Sequence, residues 1–202
     1  MKTMKYPKAW KDVTINQYYN LLDVIDLPLS DEDKAVTIIS ALTDLDIEYL
    51  QSEVPLKELI KAMNNLKFIG NTKAEGSPKV SLKVGGKRIT FDMILRDSSA
   101  SSFISLSELT KNPDTIKKNL HNIIAVFCYE CNWLGVRKER TVKSQKEIAE
   151  LLKEHLNMND AFLYRDFFLL SYDNLLKSTL SYLEVNQKKI AKELKKMTLQ
   201  PS

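Results

Sequence analysis

The sequence predicts a mainly α-helical fold, with about eight helices and one inserted β-hairpin. Apolar residues recur at intervals of three and four along most of the chain, the spacing of a helix that buries one face. Alternation of apolar and polar residues is strongest over residues 80–91 and is typical of a half-buried hairpin. The 202 residues include five glycines and six prolines, so long irregular segments are not expected.

The composition is that of a globular protein and excludes several other classes. Hydrophobic residues make up 44% and charged residues 28%, close to the average of folded domains. No apolar run approaches the ~18 residues of a membrane helix, and the N-terminal segment lacks the apolar core of a signal peptide. Two cysteines do not make a disulfide framework. We therefore expect a protein of the cytoplasm, with no membrane partner.

Residues 1–70 are expected to form an N-terminal helical part. Thr14 and Gln17 have the spacing of a capping box, which marks the start of the first helix, and Pro28 ends it. A second helix is expected after Ser30, because serine is a favoured N-cap and three acidic residues follow it in the first turn.

Two further helices complete this part. A short one is expected near residues 45–51, beginning at Asp44, and the next begins at Pro55, since proline is favoured at the first helical position. Apolar residues at helical spacing predict the face that this fourth helix turns toward the core. They are Leu56, Leu59, Ile60 and Met63.

Residues 71–97 are expected to form a linker and a β-hairpin. Two alternating runs are joined by a Gly-Gly pair, a turn that matches the twist of paired strands. Pairing across this turn places Leu82 opposite Ile89 and Val80 opposite Phe91 on one apolar face. Because an isolated hairpin is only marginally stable in water, this face is expected to lie on helices or on another chain.

Residues 98–202 are expected to form a C-terminal helical part, in one compact unit with the rest of the chain. After a polar connector, helices are predicted over residues 105–110, 113–127, 144–156, 162–171 and 173–197. The second of these is apolar nearly all round toward its end, so we expect it to be the central buried helix. The last carries an apolar stripe that includes Leu183, Ile190 and Leu194.

The net charge of +4 is unevenly distributed along the chain. Residues 1–53 are acidic, whereas residues 137–146 and 188–196 are rich in lysine and arginine. This polarity would order identical subunits head to tail. Solvated helix faces explain the same pattern and are the favoured interpretation.

The residues with the most reactive side chains give little support to an enzyme. Cys128 and Cys131 form a C-x-x-C motif, which in redox proteins lies at a helix N-terminus, where the dipole lowers the thiol pKa. Here the motif is predicted to end an apolar helix, so buried cysteines are favoured over a thiol-redox or metal site. His121 and His155 are the two histidines, and His121 is expected to be a core or boundary residue. We expect no catalytic residue, metal or cofactor.

Basic residues at the hairpin tip and in the loop after residue 131 suggest nucleic acid as an alternative partner. Glutamates lie between them and no recognised nucleic-acid motif is present, so this alternative is not favoured. The predicted basic patch consists of Lys87, Arg88, Arg137, Lys138 and Arg140.

The order of segments along the chain is the basis of a family resemblance. The segments are Trp10-Lys11-Asp12-Val13-Thr14-Ile15-Asn16-Gln17-Tyr18, Ile38-Ile39-Ser40-Ala41-Leu42-Thr43, Phe68-Ile69, Ile104-Ser105-Leu106-Ser107-Glu108-Leu109 and His121-Asn122-Ile123-Ile124-Ala125-Val126. In this layout the chain resembles small structural and tail-assembly proteins of tailed bacteriophages. The resemblance implies a role in virion structure or in head–tail and tail assembly, and it brings no catalytic residues.

The sequence therefore predicts a non-enzymatic protein that binds other proteins. It would be a head–tail connector or tail ring subunit, or a tail assembly factor, in the host cytoplasm during assembly or in the virion. Expected partners are other phage structural or assembly proteins and further copies of the chain. The predicted contact residues are Val80, Leu82, Ile89, Phe91, Leu183, Ile190 and Leu194.

Overall fold

The computed structural model describes residues 6–95 and 98–198, without the side chains of residues 113–114, 180, 183–186 and 188–198. This part of the chain is mainly helical with a small antiparallel sheet, which confirms the predicted fold class. The helices are α1 (Ile15–Ile25), α2 (Asp31–Thr43), α3 (Ile47–Ser52), α4 (Leu56–Asn65), α5 (Ala100–Thr110), α6 (Pro113–Lys118), α7 (Leu120–Ala125), α8 (Val142–His155) and α9 (Met158–Thr198). The strands are β1 (Ser81–Val84), β2 (Lys87–Phe91) and β3 (Cys128–Cys131).

The first two helices begin at their predicted caps, and the third does not. Thr14 Oγ1 accepts a hydrogen bond from Gln17 N (3.2 Å), and Gln17 Oε1 accepts one from Thr14 N (3.0 Å). Asp44 ends α2 in the left-handed conformation (φ 57°), which aspartate tolerates better than most residues. The cap of α3 is Asp46, whose carboxylate accepts a hydrogen bond from Glu48 N (2.7 Å).

The buried face of α4 differs from the predicted one. Ala62 is buried and Leu59 packs against the core, whereas Leu56, Ile60 and Met63 are exposed. Both sets of residues recur at helical spacing, so periodicity alone did not decide which face contacts the core.

The sheet has the strand order β1-β2-β3, and both strand pairs are antiparallel. The predicted register of the hairpin is confirmed, with Leu82 opposite Ile89. The third strand was not predicted, and it places Cys128 opposite Phe91. The hairpin is therefore two strands of a three-stranded sheet.

The helix predicted over residues 113–127 is divided into α6 and α7 and then gives way to β3. Asn119 interrupts it with non-helical backbone angles (φ −124°, ψ 19°). After α7, Phe127 O accepts a hydrogen bond from Asp92 N (2.8 Å), so pairing beside β2 begins where the helix ends. Extension into β3 satisfies backbone groups along an edge of β2 that a continued helix would have left unpaired.

The two helices predicted for the end of the chain are one continuous helix, α9. Asp173 was expected to begin the second of them, but its carboxylate pairs with Lys177 Nζ one turn later on the same helix (2.5 Å). Tyr172 stacks on Phe103 of α5, with ring centroids 6.2 Å apart. Packing and helical spacing therefore carry the helix through the predicted break.

One hydrophobic core contains residues from all three predicted parts of the chain. The Trp10 ring meets Phe162 of α9 edge-on at 5.4 Å, and Phe91 of β2 stacks on Tyr164 of α9 at 3.9 Å. Met158 N donates a hydrogen bond to Val13 O (2.7 Å), which ties the start of α9 to the N-terminal segment. Helix α9 thus joins the N-terminal helices to the inner face of the sheet.

Candidate functional site

The loop that follows β3, residues 132–141, begins with a hydrogen-bonded turn. Asn132 Oδ1 accepts hydrogen bonds from Leu134 N (3.0 Å) and Val136 N (2.9 Å), and Asn132 N donates one to Val136 O (2.9 Å). Gly135 has a φ of +80°, which glycine adopts without strain. The turn is therefore fixed by contacts within itself.

This turn exposes three apolar side chains, which we call the apolar tip. Trp133 is 87% exposed, Leu134 65% and Val136 59%. An apolar patch on an ordered turn is characteristic of a surface that another macromolecule covers. The sequence-based prediction treated this segment only as a basic loop and missed the tip. The signal was the order Asn-Trp-Leu-Gly, because Asn and Gly favour turns and leave the apolar pair between them at the apex.

Two arginines attach the rest of the loop to the sheet. The guanidinium carbons of Arg137 and Arg140 lie 4.6 and 5.2 Å from the centroid of the Tyr129 ring. Arg137 Nη1 pairs with Asp92 Oδ1 (3.0 Å), and Arg140 Nη1 donates a hydrogen bond to Ser102 Oγ on α5 (3.1 Å). Both cations thus have positioning contacts within the chain.

Two lysines share one carboxylate beside the loop. Glu130 of β3 accepts hydrogen bonds from Lys138 of the loop (2.5 Å) and from Lys87 at the hairpin tip (3.2 Å). The hydrogen bond from Lys138, followed by the contacts with Lys87, lowers the pKa of the Glu130 carboxyl although partial burial opposes the shift. Glu130 therefore links the hairpin tip to the loop.

Arg88 lies beside the apolar tip and has a different set of contacts. A β-carbon at Gly135 would lie 4.0 Å from Arg88 Nη1, and Arg88 Nε donates a hydrogen bond to Ser81 Oγ (3.3 Å). Lys83 is opposite Arg88 across the strand pair, so both cations are on one face. The ion pairs of the described residues include neither Arg88 nor Lys83.

The five residues of the predicted basic patch have two different roles. Four of them hold the loop and the hairpin tip in place, whereas Arg88 is exposed and its charge is available at the surface. We define the Trp133 surface as the apolar tip, Arg88 beside it, and Lys83 opposite Arg88 on the neighbouring strand. Its residues are Trp133, Leu134, Val136, Lys83 and Arg88.

The hairpin residues predicted to contact a partner lie mostly inside the molecule. Ile89 and Phe91 are fully buried, because α8 and α9 cover the inner face of the sheet. The structure therefore removes these two residues from the predicted partner surface. Leu82 is half-buried against the core, and Val80, just before β1, is 61% exposed.

The three residues of the predicted contact stripe belong to the last helix. Leu183, Ile190 and Leu194 lie within α9, but their side chains are outside the described residues. Leu176 and Tyr182 on the same helix are exposed. A partner contact through the Leu183 stripe stays a prediction.

The C-x-x-C motif lies in β3, which corrects its predicted position at a helix end. Since successive side chains of a strand alternate, Cys128 and Cys131 point to opposite faces of the sheet. The Cys128 thiol donates a hydrogen bond to Ile124 O (3.0 Å), and burial raises its pKa. Cys131 Sγ lies 3.1 Å from Thr90 Oγ1. In this geometry the two thiols do not converge on a shared metal or form a disulfide.

His121 is buried and hydrogen-bonded, as its predicted core or boundary position implies. The Tyr19 hydroxyl lies 2.7 Å from His121 Nδ1, and burial lowers the histidine pKa and raises that of Tyr19. The pair joins α1 to α7 in an uncharged form. Among the described residues, no group of three or more His, Cys, Asp or Glu side chains is arranged to hold a metal ion.

Comparison with known proteins found no matching family model, no matching curated protein and no matching solved structure. In the part of the chain that the structure describes, none of the helices combines the length and apolar content needed to cross a bilayer. The candidate site in the described part of the chain is the Trp133 surface, an exposed apolar turn beside Arg88.

Proposed function

We propose that the chain is a non-enzymatic, protein-binding component of a tailed-phage particle, a head–tail connector or tail ring subunit, or a factor in tail assembly. The observation that carries the binding role is Trp133, which is 87% exposed at the apex of a turn fixed by Asn132. The phage setting is supported by the layout of the sequence segments.

The composition of the Trp133 surface favours a protein partner. Tryptophan and arginine are the residues that most often dominate the energy of protein interfaces. Covering one tryptophan removes roughly 150–250 Å² from water, about 4–6 kcal/mol before the costs of association. Because the turn is already ordered, little conformational entropy is lost when it binds.

The reactive side chains support a non-enzymatic role through the contacts that they make. His121 is hydrogen-bonded to Tyr19, and the thiols of Cys128 and Cys131 lie on opposite faces of the sheet. Four of the five residues of the predicted basic patch make ion pairs or hydrogen bonds within the chain, which also weakens the nucleic-acid alternative.

Site-specific photo-crosslinking tests the proposal. A benzophenone amino acid replaces Trp133 in one variant and the exposed Tyr49 of α3 in a matched control, and both are expressed in the cells that naturally produce the chain. We expect a discrete protein adduct from position 133, identified by mass spectrometry as a virion or assembly protein, and absent from position 49. No adduct at position 133 would overturn the binding role. An adduct only with a protein foreign to the particle would overturn the phage setting.

A further inference from the structure

The turn between α1 and α2 carries a second exposed patch, opposite in charge to the Trp133 surface. Leu27 is 42% exposed and Leu29 is 40% exposed. Three acidic residues around them are exposed, and the ion pairs of the described residues include none of the three. They are Asp26, Asp31 and Glu32. We call residues 26–33 the acidic segment.

The acidic segment is ordered by local hydrogen bonds. Leu27 N donates to Val24 O (3.2 Å), and Leu29 N donates to Leu27 O (2.9 Å). Ser30 Oγ then caps α2 by accepting a hydrogen bond from Asp33 N (3.1 Å). Two leucines on a fixed turn therefore lie beside carboxylates, as the apolar tip lies beside Arg88.

We infer that the Trp133 surface of one chain binds the acidic segment of a second copy. This rests on the proposed protein-binding function and names its partner. The apolar tip covers Leu27 and Leu29, and Arg88 and Lys83 face the carboxylates of Asp31 and Glu32. Opposite charges bordering two small apolar patches direct encounter and fix the register of an interface.

The two surfaces are different, so each chain offers one of each. The contact is therefore heterologous, and repeated contacts give a closed ring or an open filament according to the rotation between neighbours. A structural component of a phage tail or connector requires this kind of repeated contact. The acidic segment of the proposed interface belongs to the acidic N-terminal part of the sequence, and Arg88 belongs to the predicted basic patch.

Complementation between two variants tests the inference. Trp133→Ala removes the apolar tip's largest side chain and keeps the acidic segment, whereas Leu27→Ser with Leu29→Ser does the reverse. Leu56→Ser, at an exposed leucine on α4, is the matched control. Circular dichroism first verifies that each variant is folded, and sedimentation velocity then measures assembly state across protein concentration. Trp133 emission reports burial of the tip, since Trp10, the other tryptophan, is already buried.

We expect the wild type and the Leu56 variant to associate, with a blue shift of Trp133 emission and weakening in high salt, which screens the charges. Each surface variant alone is expected to lose association at least tenfold, and a mixture of the two to form a 1:1 dimer. A wild type that stays monomeric, or a mixture in which no dimer forms, would overturn the inference. A monomer that still gives the position 133 adduct with another protein would leave the proposed function standing.

Discussion

The sheet has two turns that differ in where their apolar residues lie. At the hairpin turn, Val84 is buried, and the strand beyond it buries Ile89 and Phe91. At the turn after β3, Trp133 and Leu134 are exposed. The two turns are linked through Glu130, yet the apolar residues beside the hairpin turn are in the core and those of the other turn are at the surface.

The difference comes from what lies beside each turn. A β-carbon added at Gly85 would overlap Leu151 and His155, so α8 is packed directly against the hairpin turn. A β-carbon at Gly135 would meet nothing closer than Arg88 Nη1 at 4.0 Å. Apolar residues of a strand or turn therefore indicate a partner surface only where the chain's own helices do not cover them.

The strongest test of the comparison is Phe91→Ala. Phe91 is buried and stacks on Tyr164, so its truncation should lower the free energy of unfolding by about 3–5 kcal/mol. Urea denaturation followed by circular dichroism measures the change. Val80→Ala, at an exposed position of the same segment, should change it by less than about 0.5 kcal/mol. Equal effects of the two substitutions would show that the hairpin is not part of the core.

The next largest effect is expected for Gly85→Ala. The substitution places a β-carbon at a φ of +52° and against Leu151 and His155, which should cost about 1–3 kcal/mol of stability. Gly86→Ala is the matched control, because Gly86 also has a positive φ (+83°) but no neighbour within 4 Å. Its cost should be about 1 kcal/mol, from backbone strain alone. A Gly86 variant less stable than the Gly85 variant would contradict packing of α8 on this turn.

The fold class and the hairpin register were predictable because they depend on local signals. The Thr14 capping box, the Gly-Gly turn and the alternation between Leu82 and Ile89 all act over a few residues. The third strand was not predictable in this way. Cys128-Tyr129-Glu130-Cys131 follows a continuous apolar run, and its extended form is set by pairing with β2, nearly forty residues earlier in the chain.

The candidate site was predicted in its charges but not in its apolar part. Arg88 and Arg137 were identified from their clustering. The structure pairs Arg137 with Asp92, whereas Arg88 hydrogen-bonds to the uncharged Ser81 side chain. Exposure of Trp133 was missed, because the loop after residue 131 was considered only for its basic residues. The predicted buried face of α4 was wrong because periodicity identifies an apolar face but does not show whether the rest of the chain covers it.

Asn132→Ala tests whether the exposed turn is held in place. The substitution removes the two hydrogen bonds that Asn132 Oδ1 accepts from backbone amides, at a cost of about 1 kcal/mol. Hydrogen exchange at the amides of Leu134 and Val136 should become faster. Asn132→Asp keeps the accepting oxygen and is expected to preserve protection. Unchanged exchange in the alanine variant would mean that the turn does not depend on this side chain.

Glu130→Gln tests the link between the two turns. At pH 7 the variant should be less stable by about 0.5–1 kcal/mol, because two lysines lose their carboxylate. The pKa of Glu130 is lower in the folded chain than its ordinary value of 4.5, so its stabilisation is present above that pH and is lost as the pH falls below it. The difference in unfolding free energy between wild type and variant should therefore become smaller as the pH falls below 4.5. A difference in unfolding free energy that stayed constant from pH 7 down to the lowest pH at which both proteins are folded would contradict this role of Glu130.

The smallest change in stability is expected for Trp133→Ala, the substitution with the largest expected effect on binding. Since Trp133 is 87% exposed, its removal should change the free energy of unfolding by less than about 0.5 kcal/mol, in contrast to Phe91→Ala on the same sheet. Denaturation of the two variants in parallel measures this difference. A loss of more than about 1 kcal/mol would show that Trp133 packs on its own chain. Loss of binding without loss of stability would instead mark Trp133 as a residue that acts on a partner.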